Sequence, residues 1–208
     1  MSSLMDLAPL SQRSTHEQTR QRILAKAGEL FRHFGFAKTT VADIAAGLAM
    51  SPANIYKFFP SKDAIIQAVA EQELTELKKS IEAVISSSSG ALARIEGLAL
   101  AVFHWHSEYL RHEPQLFQLV QLANAHSWDC VRDFKNFLQQ TITEIIEAGT
   151  QTGEFYVSDS GAAARALIDC LAIVLEPSAS PDPNDKLTEK RVRAMVGFLG
   201  RALCLKIF

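Results

Sequence analysis

A chain of 208 residues that is 48% hydrophobic and carries a net charge of −2 can bury a substantial core, as one large or two small domains. No apolar run approaches the roughly 18 residues of a membrane-spanning helix, and the opening MSSLMDLAPLSQRSTHEQ lacks the basic start and apolar stretch of a secretory signal. The cysteines, Cys130, Cys170 and Cys204, form neither a disulfide framework nor a CxxC site; lying in apolar helical patterns, they are expected to be buried thiols of a cytoplasmic protein.

In chain order, residues 1–15, Arg13 among them, read as a disordered arm. The first helix is expected over about 16–34, with Ile23, Leu24, Ala27, Leu30, Phe31 and Phe34 as its core stripe and Gly35 as its C-terminal cap. Thr40 and Asp43 have the spacing of a capping box, and Val41, Ile44, Ala45 and Leu48 recur at helical spacing behind them. A turn through Ala49 and Met50 follows. Ser51 is placed to cap a second short helix, with Pro52 at its first position, where the missing N–H costs nothing. Ile55, Phe58 and Phe59 give that helix a packing side, leaving Pro52, Ala53, Asn54 and Lys57 exposed. Pro60 ends it, and Ser61 caps the next helix, which begins at Lys62. Two short helices joined by a tight turn fit the DNA major groove, with the second entering it.

The stretch resembles the DNA-binding domain of the TetR family of bacterial repressors. The resemblance rests on Thr39-Thr40-Val41, Ile44-Ala45, Ser51, Tyr56, and Phe59-Pro60-Ser61-Lys62. Upstream it rests on Thr19-Arg20, Ile23-Leu24, Ala27, Leu30-Phe31 and Gly35-Phe36. It covers roughly residues 16–76, with the helix-turn-helix at about 39–58, and is weak beyond. Two glycines common in the family are replaced, by Ala49 in the turn and Ala53 early in the recognition helix. The fold class implied is all-α: a three-helix DNA-binding head and a helical regulatory and dimerisation body over 77–208, about nine helices altogether.

Charge is distributed to match. Residues 1–62 hold eight Lys/Arg against four Asp/Glu, and residues 63–208 hold thirteen against nineteen, a basic head on an acidic body. Within the head, Thr39, Thr40, Ser51, Tyr56, Lys57 and Lys62 are the expected phosphate contacts. Pro52, Ala53 and Asn54 are the expected base-edge contacts, because small side chains permit close approach and an Asn amide pairs with an adenine edge.

The fourth helix is expected over about 61–85, followed by a polar break at 86–90. Further helices are expected over about 91–112, 114–126, 128–149, 161–175 and 187–205, and the loop 176–185, with three prolines, reads as mobile. The aromatic-rich middle of the body suits a helix-bundle core. The resemblance makes it also the place for an inducer pocket, with Phe103, His106, Tyr109, Phe117, Gln121, Trp128 and Phe134 as candidate lining and a small-molecule inducer as partner. By the same resemblance the last two helices pair with their copies in a second subunit, through Ala163, Ala166, Leu167, Cys170, Val192, Val196, Leu199 and Leu203. A homodimer is expected on geometry too: one short helix reads a few base pairs, whereas a two-fold pair reads a palindromic operator in successive major grooves about 34–36 Å apart.

No cofactor and no metal are expected. His104 and His106 lie about 200° apart around a helix and cannot readily chelate one ion. No glycine-rich phosphate loop, nucleophile elbow or paired-carboxylate motif points to an enzyme. The function expected is a homodimeric repressor released from its operator by an inducer. The alternative is an activator, or a DNA-associated protein whose body binds a protein partner.

Overall fold

The structure, a computed structural model, describes the backbone of residues 10–112, 114–175 and 187–205, and their side chains except at 10–14, 109–112, 114, 116, 117 and 120. Residues 1–9 of the expected arm, the Arg13, Tyr109 and Phe117 side chains, and the loop 176–185 lie outside the described residues. The described residues form ten helices and no strand. The fold is all-α, and the chain divides into two compact units, Met1–Ala70 and Glu71–Phe208.

The first unit contains α1 (Leu10–Phe34), α2 (Val41–Gly47), α3 (Pro52–Ile55) and the beginning of α4 (Lys62–Ser87). Helix α1 starts at Leu10, so residues 10–15 are helical rather than part of a disordered arm. Ile23, Leu24, Ala27 and Phe31 pack beneath Val41, Ile44 and Ala45 of α2, Ile55 of α3, and Ile65, Ile66 and Val69 of α4, all at most 7% exposed. Phe34 departs from the expected stripe and is 54% exposed. It stands in the last turn of α1, where Gly35, at φ 81°, leaves the helix while its N–H still reaches the Phe31 carbonyl at 2.9 Å.

The second unit contains the rest of α4, then α5 (Ala91–His112), α6 (Pro114–Ala125), α7 (Asp129–Gln151), α8 (Ser160–Cys170), α9 (Ala172–Leu175) and α10 (Glu189–Leu203). Helix α5 is central and packs against α6, α7, α9 and α10, while α7 packs along α8. Its buried Ile95, Leu98, Ala99 and Val102 meet Ile142, Ile145 and Ile146 of α7 and Val192 and Val196 of α10. Between α7 and α8 the chain turns at Gly153 (φ 78°) and sends Glu154 back to the start of α5. There the carboxylate accepts the Ala91 and Leu92 amides at 2.6 and 2.8 Å, satisfying donors that have no partner inside the helix. Gly149 permits this corner, because a Cβ on it would lie 2.5 Å from Phe155 Cδ2 and 2.7 Å from the Ala91 methyl.

Where one helix was expected over 161–175, the chain breaks at Leu171, whose N–H is shared between the Leu167 and Ile168 carbonyls at 2.9 and 3.1 Å. The buried residues of this region are Ala164, Leu167, Leu171, Val174 and Leu175, which share only Leu167 with the residues expected to pair with a second copy. Ala166 and Cys170 therefore point outward, whereas Leu167 is spent on the core of the second unit. On α10, Val192 and Val196 are likewise at 0 and 1% exposure, while Leu199 and Leu203 are half-buried. The expectation of buried thiols is corrected too: Cys170 and Cys204 are exposed and only Cys130 is half-buried.

Candidate functional site

The helix-turn-helix forms from local chemistry. The Thr40 hydroxyl accepts the Asp43 amide at 3.2 Å, and the Asp43 carboxylate accepts the Thr40 amide at 2.8 Å and the Thr40 hydroxyl at 2.7 Å. These bonds hold the Asp43 carboxyl below its ordinary pKa, since they favour its charged form. The turn between the helices places Ala49 at φ 54°, a left-handed conformation that favours glycine. Ser51 then caps α3 by accepting the Asn54 amide at 3.3 Å, with Pro52 in the first turn.

Helix α3 is shorter than expected. It ends at Ile55 and continues as a tightened turn, in which the Phe58 N–H reaches the Ile55 carbonyl at 2.9 Å. Ile55 and Phe59 anchor this piece in the core, and Phe58 lies against His16 with ring centroids 4.6 Å apart. Opposite that anchor, Pro52, Ala53 and Lys57 are exposed, Asn54 is half-buried and Tyr56 is 51% exposed. Thus the expected base-edge candidates stand together at the start of α3, beside Tyr56 and Lys57. Thr40 and Ser51 are exposed but serve as caps. Lys62 starts α4 and donates from Nζ to the Ala37 carbonyl at 3.2 Å. Thr39 departs from its expected role: it is 3% exposed, and its hydroxyl donates to the Gly35 carbonyl at 2.9 Å, so it braces the connection between α1 and α2 rather than meeting a phosphate.

The second unit holds a cavity of about 500 Å³. Its apolar wall comes from Leu74 and Leu77 of α4, Trp105 of α5, Val131, Phe134 and Leu138 of α7, and Ile168 and Leu175. Its polar groups are His106, the amides of Gln121, Asn124, Asn136 and Gln139, and the charged Lys135, Arg165 and Asp169. His106 is 8% exposed. Its Nδ1 lies 3.2 Å from the Val174 carbonyl, and burial pushes the imidazole pKa down to about 4, partly offset by that bond. His104, two residues earlier, is exposed and pairs with Glu189 on α10 at 3.1 Å.

Of the expected pocket residues, His106, Gln121 and Phe134 line the cavity. Phe103 packs against the core and Trp128 precedes α7 as its cap residue, and neither is among the cavity's lining. Sequence reasoning missed the contributions of α7 and α8, namely Lys135, Asn136, Gln139, Arg165 and Asp169. On an amphipathic helix such side chains read as solvated face, and no local pattern separates a rim from that face.

The first unit matches a family model described as "Bacterial regulatory proteins, tetR family" over residues 23–69. A second, "Tetracyclin repressor-like, C-terminal domain", matches residues 91–196, about half of the chain. The chain belongs to the TetR family. Like its relatives, this TetR-family protein is a DNA-binding transcriptional regulator rather than an enzyme. It is 24% identical over 140 residues to the "HTH-type transcriptional repressor KstR2" of Mycobacterium tuberculosis, covering 65% of this chain and 68% of that one. A transcriptional regulator from Cytophaga hutchinsonii shares the fold with a TM-score of 0.70 at 20% identity, over 90% of this chain and 99% of the other. RolR, solved in complex with resorcinol, superposes with a TM-score of 0.60 at 20% identity, over 92% and 90%.

Proposed function

We propose that this TetR-family regulator is a homodimeric repressor that leaves a palindromic operator when an organic small molecule occupies the body cavity. The observation that carries the ligand-responsive part is the cavity itself: about 500 Å³, with an apolar wall and polar side chains around it, in the manner of small-molecule sites. A concave site of this kind favours a small ligand over a protein partner for the body, and RolR was solved with an organic ligand on the same fold.

For DNA, Pro52, Ala53 and Asn54 meet base edges, while Tyr56, Lys57, Lys62 and the exposed caps Thr40 and Ser51 meet phosphates. The exposed face of α3 supports this, since only its core side is committed to packing. Dimerisation uses the outward faces of α8 and α10. There Ala162, Ala166 and Cys170 on one helix and Ala194, Phe198 and Ala202 on the other are exposed. Leu74 and Leu77 link the two activities, because they line the cavity on the helix whose beginning belongs to the DNA-reading unit. A ligand shifts the operator equilibrium only as far as it prefers one arrangement over the other. Cytoplasmic residence goes with this role, and no helix among the described residues is long and apolar enough to cross a membrane.

In-vitro selection of bound DNA followed by fluorescence anisotropy tests the reading. A two-fold symmetric consensus is expected. Lys57→Ala should weaken binding across all sequences and reduce the slope of log K against log salt by about one, whereas Asn54→Ala should change base preference. Selection of an asymmetric site, or an unchanged salt slope, would count against the assignment.

A further inference from the structure

His106 is a polar group of the cavity whose chemistry is fixed by its partner. A backbone carbonyl only accepts, so the 3.2 Å contact between His106 Nδ1 and the Val174 carbonyl places the proton on Nδ1. The other nitrogen, Nε2, is then a lone-pair acceptor. Among the described residues it has no hydrogen-bond partner, yet no fully buried side-chain nitrogen or oxygen there lacks one. Nε2 therefore reaches accessible space, and His106 lines the cavity. An acceptor on a mostly apolar wall asks for a ligand that brings a donor. Lys135 and Arg165 outnumber Asp169 among the charged residues of the lining, which disfavours an ammonium and leaves an uncharged donor.

We propose that the cavity selects an apolar, ring-bearing molecule with a hydroxyl group, and that His106 Nε2 accepts that hydroxyl and determines specificity. This rests on the ligand-binding reading of the cavity. Trp105 and Phe134 and the side chains of Leu74, Leu77 and Ile168 supply the apolar envelope. The fixed imidazole tells an alcohol from its ether, because only the alcohol satisfies Nε2. The methyl ether has no proton to give and leaves that acceptor without a donor from the ligand. Burial, which keeps the ring neutral, removes the alternative of His106 acting as a cationic anchor for an anion.

The test uses the full chain and three matched pairs of increasing size: 4-ethylphenol, 2-naphthol and 9-phenanthrol, each against its methyl ether, with affinities from calorimetry. The phenol of each pair that binds should be tighter by about tenfold or more, the cost of stranding one buried acceptor. His106→Gln should keep the preference, since its amide can donate to Val174 and still accept from the ligand. His106→Leu should erase it, binding phenol and ether alike. Equal affinities of phenol and ether for the unaltered protein would overturn the role of His106 and leave the cavity reading standing. Failure of all six compounds to bind would overturn both.

Discussion

Ala49 stands at φ 54°, where an L side chain is strained by about 1–2 kcal/mol. It is exposed, so no packing is lost on replacement. Ala49→Gly should therefore stabilise the protein, by about 0.5–1 kcal/mol after the greater flexibility of unfolded glycine is subtracted, read from urea denaturation. His106 makes a second prediction. Its folded pKa, about 4, lies below the unfolded value of 6.5, so the unfolded chain takes up a proton first as pH falls. Stability from this group is full above pH 6.5, declines as pH falls toward 4 and is then lost, by roughly 3 kcal/mol in total. His106→Gln should flatten that part of the stability–pH curve. An unchanged slope would show that the ring protonates equally in both states.

Among the elements, the Glu154 clamp holds the most consequence for its size. One carboxylate serves two amides at the start of α5, the helix on which α6, α7, α9 and α10 all pack. Glu154→Ala should cost about 1–3 kcal/mol, since the two donors are part-buried and water replaces the carboxylate poorly. Thermal denaturation checks it. A loss no larger than that of an exposed glutamate such as Glu147 would mean the amides find other partners. The same corner explains a difference in legibility between elements. Capping boxes and Ser–Pro helix starts are decided within four residues, so Thr40, Ser51 and Ser61 were readable as caps from the sequence, and each accepts the amide three residues on. The Glu154 cap joins positions more than sixty residues apart, and nothing local announces it. The break at Leu171 was invisible for a related reason: the residues around it are ordinary helix formers, without Gly or Pro.

For the molecule as a whole, the proposed dimer predicts the consequence of one side chain. Phe198 is 67% exposed on α10, with the Arg201 guanidinium 5.8 Å from its ring, and with the exposed Ala194 and Ala202 one turn to either side it forms an apolar strip that suits an interface. Phe198→Asp should convert the dimer to monomer in sedimentation velocity and abolish tight operator binding while leaving the far-ultraviolet helical signal intact. A mutant that still sediments as a dimer would move the interface elsewhere. The basic first 62 residues and acidic remainder also fit at this scale, since only the reading unit needs to approach phosphates.

The sequence by itself determined the DNA-reading unit: its caps, its turn, and the placing of Pro52, Ala53 and Asn54 at the start of α3 all follow from interactions between near neighbours, which one-dimensional spacing records. Tertiary structure alone decided the rest. It withdrew Thr39 into the α1–α2 connection, turned Leu167, Val192 and Val196 into the core of the second unit, exposed Cys170, and brought Lys135, Gln139 and Arg165 to a cavity with His106. The physical reason is the same in each case. Periodicity tells which side chains share a helix face, but which neighbour covers that face, and how the helix is rotated against it, depends on packing between distant segments.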